Sequence, residues 1–198
     1  MSGKKEALFL TVILLCAAAL AGCESKQAEF TKSGIEVLED DTINALIIEN
    51  FTADYYQMEE LTQFVAEDVA NYNTEIGSTA VTVGESSMEN GTIRLNLTFQ
   101  NFDAFNGYMP EEVFIGTLQG AYDRGYDFAR TLYSAEKEGQ TIAREDLMNM
   151  GNSKVIVVTG DICVRCPAKI LYYSTGMTLL DSKTVSADAE GNYFIIYK

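Results

Sequence analysis

Between residues 80 and 99 the chain carries its strongest structural instruction. Two runs of strand-forming residues, 80–88 and 92–99, are joined by Glu89-Asn90-Gly91. Asn-Gly between such runs favours the tight turn whose backbone matches the twist of an antiparallel pair. In the second run Ile93, Leu95, Leu97 and Phe99 alternate with Arg94, Asn96 and Thr98, so one face is buried and the other wet. Any fold for this chain has to accommodate that hairpin.

The flanking sequence changes period. Residues 42–51 (TINALIIENF) are apolar and β-branched enough for a first strand. Met58, Leu61, Phe64, Val65, Val69 and Tyr72 then fall on one stripe of a helix, with Glu59, Glu60, Gln63, Glu67 and Asp68 on the other face and Gly77 as the stop. Residues 102–128 mix aromatics with Gly116, Gly120 and Gly125 around a helix that begins near Thr117. A short helix is expected at 145–148, followed by strands at 154–159, 162–166, 169–173 and 193–197. The expected fold is α+β, a mainly antiparallel sheet with one long amphipathic helix and shorter helices packed on it. Residues 42–198 are long enough for a single domain of this kind, and no internal repeat breaks them up.

The N-terminus has a different character. Lys4 and Lys5 precede an apolar run of about 14 residues, whereas crossing a bilayer takes about 20. The run ends in Leu20-Ala21-Gly22-Cys23, which resembles the signal peptide of bacterial lipoproteins position by position. The resemblance implies cleavage before Cys23 and a thioether-linked diacylglycerol on its sulfur, leaving residues 1–22 as signal. Two acyl chains suffice for stable anchoring. It also implies a location at the cell membrane, on the extracytoplasmic side, with the membrane as partner through the N-terminal lipid. Residues 23–41 read as a flexible tether, polar at Ser25, Lys26, Gln27, Lys32 and Ser33 and acidic at Glu39, Asp40 and Asp41. Ile35, Val37 and Leu38 are its apolar exceptions.

Further stretches resemble lipoproteins of anaerobic Firmicutes that have no assigned activity. They are Tyr55-Tyr56, Tyr72-Asn73, Phe105-Asn106, Gly125-Tyr126-Asp127, and the ending from Lys169-Ile170-Leu171-Tyr172 to Tyr193-Phe194-Ile195-Ile196-Tyr197-Lys198. This resemblance implies a surface lipoprotein and supplies no catalytic residue.

Composition narrows the chemistry. After the signal, 12 of the 14 Lys and Arg and 28 of the 29 Asp and Glu remain, a net charge near -16 that opposes nucleic acid and anionic head groups. The chain has no His, which removes Ser-His-Asp and Cys-His nucleophile systems, His-ligated zinc and imidazole bases together. No glycine-rich phosphate loop is present, and no cofactor is called for. The motif left is Cys163-Val164-Arg165-Cys166-Pro167. An exported CxxC suggests a redox or structural disulfide. In a strand, however, residues three apart face opposite sides with Cα atoms about 10 Å apart, beyond the roughly 7 Å a disulfide tolerates. Two sulfurs without imidazole also fall short of the four ligands of structural zinc.

The acidic pairs Glu59-Glu60, Glu67-Asp68, Glu111-Glu112 and Glu145-Asp146 read as solvated faces, and the 11 Tyr and 10 Phe as core. The functional expectation is therefore a lipid-anchored, non-enzymatic binding or envelope-associated module. The alternative is an exported thiol-disulfide oxidoreductase using Cys163 and Cys166.

Overall fold

The computed structural model describes residues 27–50, 57–189 and 191–198. In chain order the first elements are β1 (Gly34–Val37), β2 (Ile43–Asn50), α1 (Met58–Ile76), β3 (Val81–Glu89), β4 (Thr92–Phe99) and α2 (Phe102–Tyr108). Next come β5 (Val113–Thr117), α3 (Leu118–Asp123), β6 (Leu132–Ser134), α4 (Arg144–Met148) and β7 (Lys154–Thr159). The chain closes with β8 (Cys163–Arg165), β9 (Ile170–Ser174), β10 (Met177–Leu179), β11 (Thr184–Ala187) and β12 (Asn192–Tyr197).

Strands β7 (KVIVVT) and β12 (NYFIIY) are apolar at nearly every position because both faces of their sheet are covered. They lie inside a five-stranded antiparallel sheet ordered β5-β7-β12-β9-β6. On one face Ile156, Val158, Tyr193 and Ile195 pack with Ile35, Val37, Leu97, Phe99, Val164 and Val185 of a second sheet. On the other, Val155, Val157, Phe194 and Ile196 meet Leu118, Ala121, Phe128 and Leu147 from the helices and loops. Fully burying each such side chain stabilises the fold by about 1.5–3 kcal/mol.

The second sheet has seven strands, ordered β10-β11-β8-β1-β2-β4-β3. Its inner face is dry, while its outer face is buried around Cys163, Thr184 and Ser186 and exposed at Arg94 and Asn96. The hairpin β3–β4 turns through Asn90 and Gly91, at φ 51° and 77°, as Asn-Gly demands. Strand β1 is the hinge of the topology, pairing antiparallel with β2 and parallel with β8 (Gly34 opposite Cys163, Glu36 opposite Arg165). It joins three N-terminal strands to three from the C-terminal third.

Two expectations are corrected. The architecture is mainly β, two sheets of seven and five strands, rather than an α+β sheet with helices packed on it. Helices α2, α3 and α4 have only seven, six and five residues, too short to cover a large sheet. Helix α1 has 19 residues but buries only Val65 and Val69, and Phe64 of its apolar stripe is 68% exposed. The large sheet is covered by the five-stranded sheet instead. The tether expected to run to Asp41 is also shorter, because Gly34–Val37 is an internal strand with Ile35 and Val37 buried. Ser, Lys and Gly around it disguise a segment that alternation would otherwise reveal.

Ahead of β1, residues 27–30 lie as a strap across the outer face of the large sheet. Ala28 N–H donates to Asp181 Oδ2 at 2.8 Å, and Arg165 donates to the Ala28 carbonyl. The Arg165 guanidinium sits 4.9 Å from the Phe30 ring centre. Gly34 has to be glycine here, since a Cβ would come within 2.8 Å of both Phe30 and Cys163. The strap runs back along β1, so Gln27 reaches the end of the sandwich that carries Leu38, Glu39, Pro167 and Lys183. The Asn90-Gly91 turn and the β7–β8 loop lie at the opposite end.

Candidate functional site

At the hairpin end the two sheets part and leave a cleft of about 420 Å³, within the range of small-molecule sites, roughly 300–1,000 Å³. Ile35, Ala45 and Ile47 come from the large sheet, and Phe105, Met109 and Ile162 from the segments that connect to the small one. Polar groups sit on the rim at Glu49, Glu111, Thr159 and Asp161.

Glu111 is placed by its neighbours rather than by a regular element. Asn106, in α2, clamps across the loop to β5: its Nδ2 donates to the Val113 carbonyl and its Oδ1 accepts from Val113 N–H, both at 2.8 Å. One residue on, Glu112 N–H donates to Thr159 Oγ1 at 3.0 Å and its carbonyl accepts from Thr159 N–H at 3.1 Å. Pro110 stiffens the remaining turn by locking its own φ. Glu111 is thus held between two fixed points against the cleft wall. Among the described residues, three buried side-chain oxygens lack a hydrogen-bond partner: Ser86 Oγ, Tyr122 Oη and Glu111 Oε2. Only Glu111 lines the cleft. A buried acceptor without a donor is costly, about 1–3 kcal/mol, and more when charged.

The opposite rim is locked by Lys32. It bridges Asp161, the Ala187 carbonyl and Asp188, the last at 3.0 Å, and so ties the β7–β8 loop and the end of β11 to the start of β1. Burial pulls the Lys32 ammonium down, but hydrogen bonds to Asp161 and Asp188 prevail and hold it above its ordinary value. Asp188 is correspondingly held low by its hydrogen bond to Lys32. Ser33 completes this rim, its Oγ accepting from Ile48 N–H at 2.9 Å.

The residues singled out from the sequence fall elsewhere. Cys163 and Cys166 are free and buried, at 0% and 1% exposure. Cys163 lies on the outer face beneath the strap, with Arg165, while Cys166 joins the inter-sheet core. The strand separates them onto opposite faces, and burial pushes the Cys166 thiol well above its ordinary value, the reverse of what an attacking thiolate needs. Cys23, the expected lipidation site, lies outside the described residues. Comparison with family models, curated proteins and solved structures finds no match to this chain. No group of three or more Cys, Asp or Glu able to hold a metal occurs among the described residues, and no described helix is long and apolar enough to cross a membrane.

Of the four acidic pairs, Glu59-Glu60 and Glu145-Asp146 are solvent-exposed. In the pair Glu67-Asp68, Asp68 accepts from the Tyr108 hydroxyl at 2.8 Å and so helps to fix α1 to α2. Glu111-Glu112 is the pair that reaches the cleft. The sequence signal for Glu111 is faint: Met109-Pro110 before it and Val113-Phe114-Ile115 after it surround an acidic pair with apolar residues. The clamp from Asn106 that fixes it has no linear signature.

Proposed function

We propose that this protein is a lipid-anchored, extracytoplasmic binding module, held at the membrane through Cys23, whose ligand occupies the cleft at the hairpin end of the sandwich. The observation that carries the proposal is the unpartnered Glu111 Oε2 beside the apolar side chains Ile47, Phe105 and Ile162 of a cleft with a polar rim. An ionised carboxylate only accepts hydrogen bonds, so the group it suits is a donor, best a cationic one, on an apolar body that fits against Ile47, Phe105 and Ile162. A non-enzymatic role is supported by the chain itself, which has no imidazole, and by the burial of both thiols.

The test is an NMR titration of the chain from Glu24 onward with hexylammonium and, separately, hexanoate. Hexylammonium should perturb amides of Ile47, Phe105, Glu111 and Ile162, and hexanoate should leave them unmoved. Glu111→Gln should weaken the response about tenfold, the equivalent of roughly 1.4 kcal/mol. Equal responses to both probes, or shifts scattered away from the cleft, would sink the proposal.

A further inference from the structure

We infer that the end of the sandwich opposite the cleft is the end turned toward the bilayer, so that the cleft looks away from the membrane. The inference depends on the proposed lipid anchor at Cys23. It is carried by two independent observations, where the chain leaves the fold and where its lysines lie.

The strap settles the exit point. Ala28 is tied to Asp181 and Arg165, and Gln27 lies among Leu38, Glu39, Pro167 and Lys183. Only Glu24, Ser25 and Lys26 separate Gln27 from Cys23. Four residue steps span at most about 14 Å, at roughly 3.3–3.6 Å each. With the strap attached, the lipidated sulfur therefore stays close to this end. The cleft is lined by Ala45 to Glu49 of β2, two to six residues beyond Ile43, or about 7–20 Å at roughly 3.3 Å per residue. Had residues 23–41 been a free tether, the domain could have tumbled and neither end would be favoured.

The charge distribution points the same way. Six lysines lie among the described residues, and five of them, Lys137, Lys154, Lys169, Lys183 and Lys198, are exposed at the exit end. Lys154 faces Tyr197 across the small sheet, Lys198 N–H donates to the Lys169 carbonyl, and Lys183 Nζ donates to the Pro167 carbonyl at 2.6 Å. Glu136 is held below its ordinary value by its hydrogen bond to Lys169, aided by the charges of Lys198 and Lys137. Acidic groups share this end at Glu39, Asp40, Asp41, Glu136, Glu138 and Asp181, so it is not a basic patch. At the cleft end, by contrast, Glu49, Glu89, Glu111, Glu112, Asp161 and Asp188 outnumber the cations Lys32 and Arg130, the latter beside Gly191. The net charge near -16 repels the whole domain from phosphate head groups. Screening over about 8–10 Å means that the near end decides which orientation is least opposed.

The experiment uses the full lipidated chain in phosphatidylcholine vesicles containing phosphatidylglycerol and a nitroxide-headgroup lipid, with a fluorophore on Asp40→Cys or Glu89→Cys. Cys163, which the strap covers, is replaced by alanine in every labelled chain, and Cys166 lies in the inter-sheet core. The Asp40 label should be quenched severalfold more than the Glu89 label, and omitting phosphatidylglycerol should narrow the difference. Asp181→Ala, which releases the strap and lengthens the tether, should narrow it as well. Equal quenching at both positions on a chain whose mass shows the diacylglycerol adduct overturns the orientation while leaving the anchor intact. Absence of the adduct from Cys23 overturns the anchor, and the inference with it.

Discussion

The two sheets were assembled from the chain in different ways. The five-stranded sheet is drawn entirely from Val113–Tyr197 and is covered on both faces, and its central strands β7 and β12 are recognisable in sequence by apolar runs. The seven-stranded sheet is collected from segments spread between Gly34 and Ala187, and its outer face is wet along β3 and β4. Its continuity depends on a four-residue strand from a stretch whose composition looks like linker. The difference teaches that a long, regularly patterned strand such as β4, β7 or β12 is legible, whereas a short strand held mainly by its two neighbours hides in its sequence.

The comparison is broken most severely by removing β1. A chain beginning at Thr42, where composition places the start of the domain, should fail to fold. A chain beginning at Gln27 should give a dispersed NMR spectrum and a cooperative urea transition. A folded Thr42 chain would show that the large sheet does not need its central strand. The next effect separates the two-sided sheet from the one-sided one. Phe194→Ala, in the packed outer layer of the small sheet, should cost about 3–5 kcal/mol in urea denaturation. Arg94→Ala, exposed on the wet face of the large sheet, should change stability by less than about 0.5 kcal/mol. Comparable losses would mean that the outer face is covered in solution.

A smaller effect distinguishes the two thiols. Cys163 is covered by the strap and Cys166 by the whole core, so local opening exposes the first and global unfolding the second. Alkylation under native conditions should therefore modify Cys163 faster by roughly tenfold or more, with about 1.4 kcal/mol per tenfold. An intramolecular disulfide forming under mild oxidant in the folded protein would contradict the separation of the two faces. The smallest effect is acid release of the strap. Burial raises the Asp181 carboxyl, but the N–H groups of Ala28 and Lys183 and the Thr184 hydroxyl outweigh it and hold the group below its ordinary 3.8. A carboxylate depressed in the folded state contributes stability at higher pH and loses it as pH falls through the folded value. The Ala28 amide resonance should thus stay constant from neutral pH down to about 4 and titrate only below it. A midpoint above that would mean that Ala28 does not hold Asp181.

Much of the local structure could be read in advance. The Asn90-Gly91 hairpin, the helix ending at Gly77 with φ 69°, and the strands KVIVVT and YFIIY follow from turn chemistry and apolar runs that act over a few residues. Strands β5, β6, β10 and β11 were not anticipated because they are three to five residues long and form only against partners already in place. In β11, Thr184 and Ser186 look solvent-facing and are nevertheless buried. The candidate site was less legible still. Glu111 reads as half of an ordinary acidic pair, and only Asn106, Pro110 and Thr159 together make it a cleft wall.

By itself, the sequence determined turn positions, the strands KVIVVT and YFIIY, the exclusion of imidazole chemistry and the resemblance of its start to a lipoprotein signal. Those are properties of residue type and short-range spacing. Tertiary structure alone decided that Gly34–Val37 sits beside Cys163–Arg165 and that Gln27 leaves the fold at the end away from the cleft. Each depends on a pairing between segments more than a hundred residues apart, whose partners are chosen by which buried faces can close together and not by any local preference.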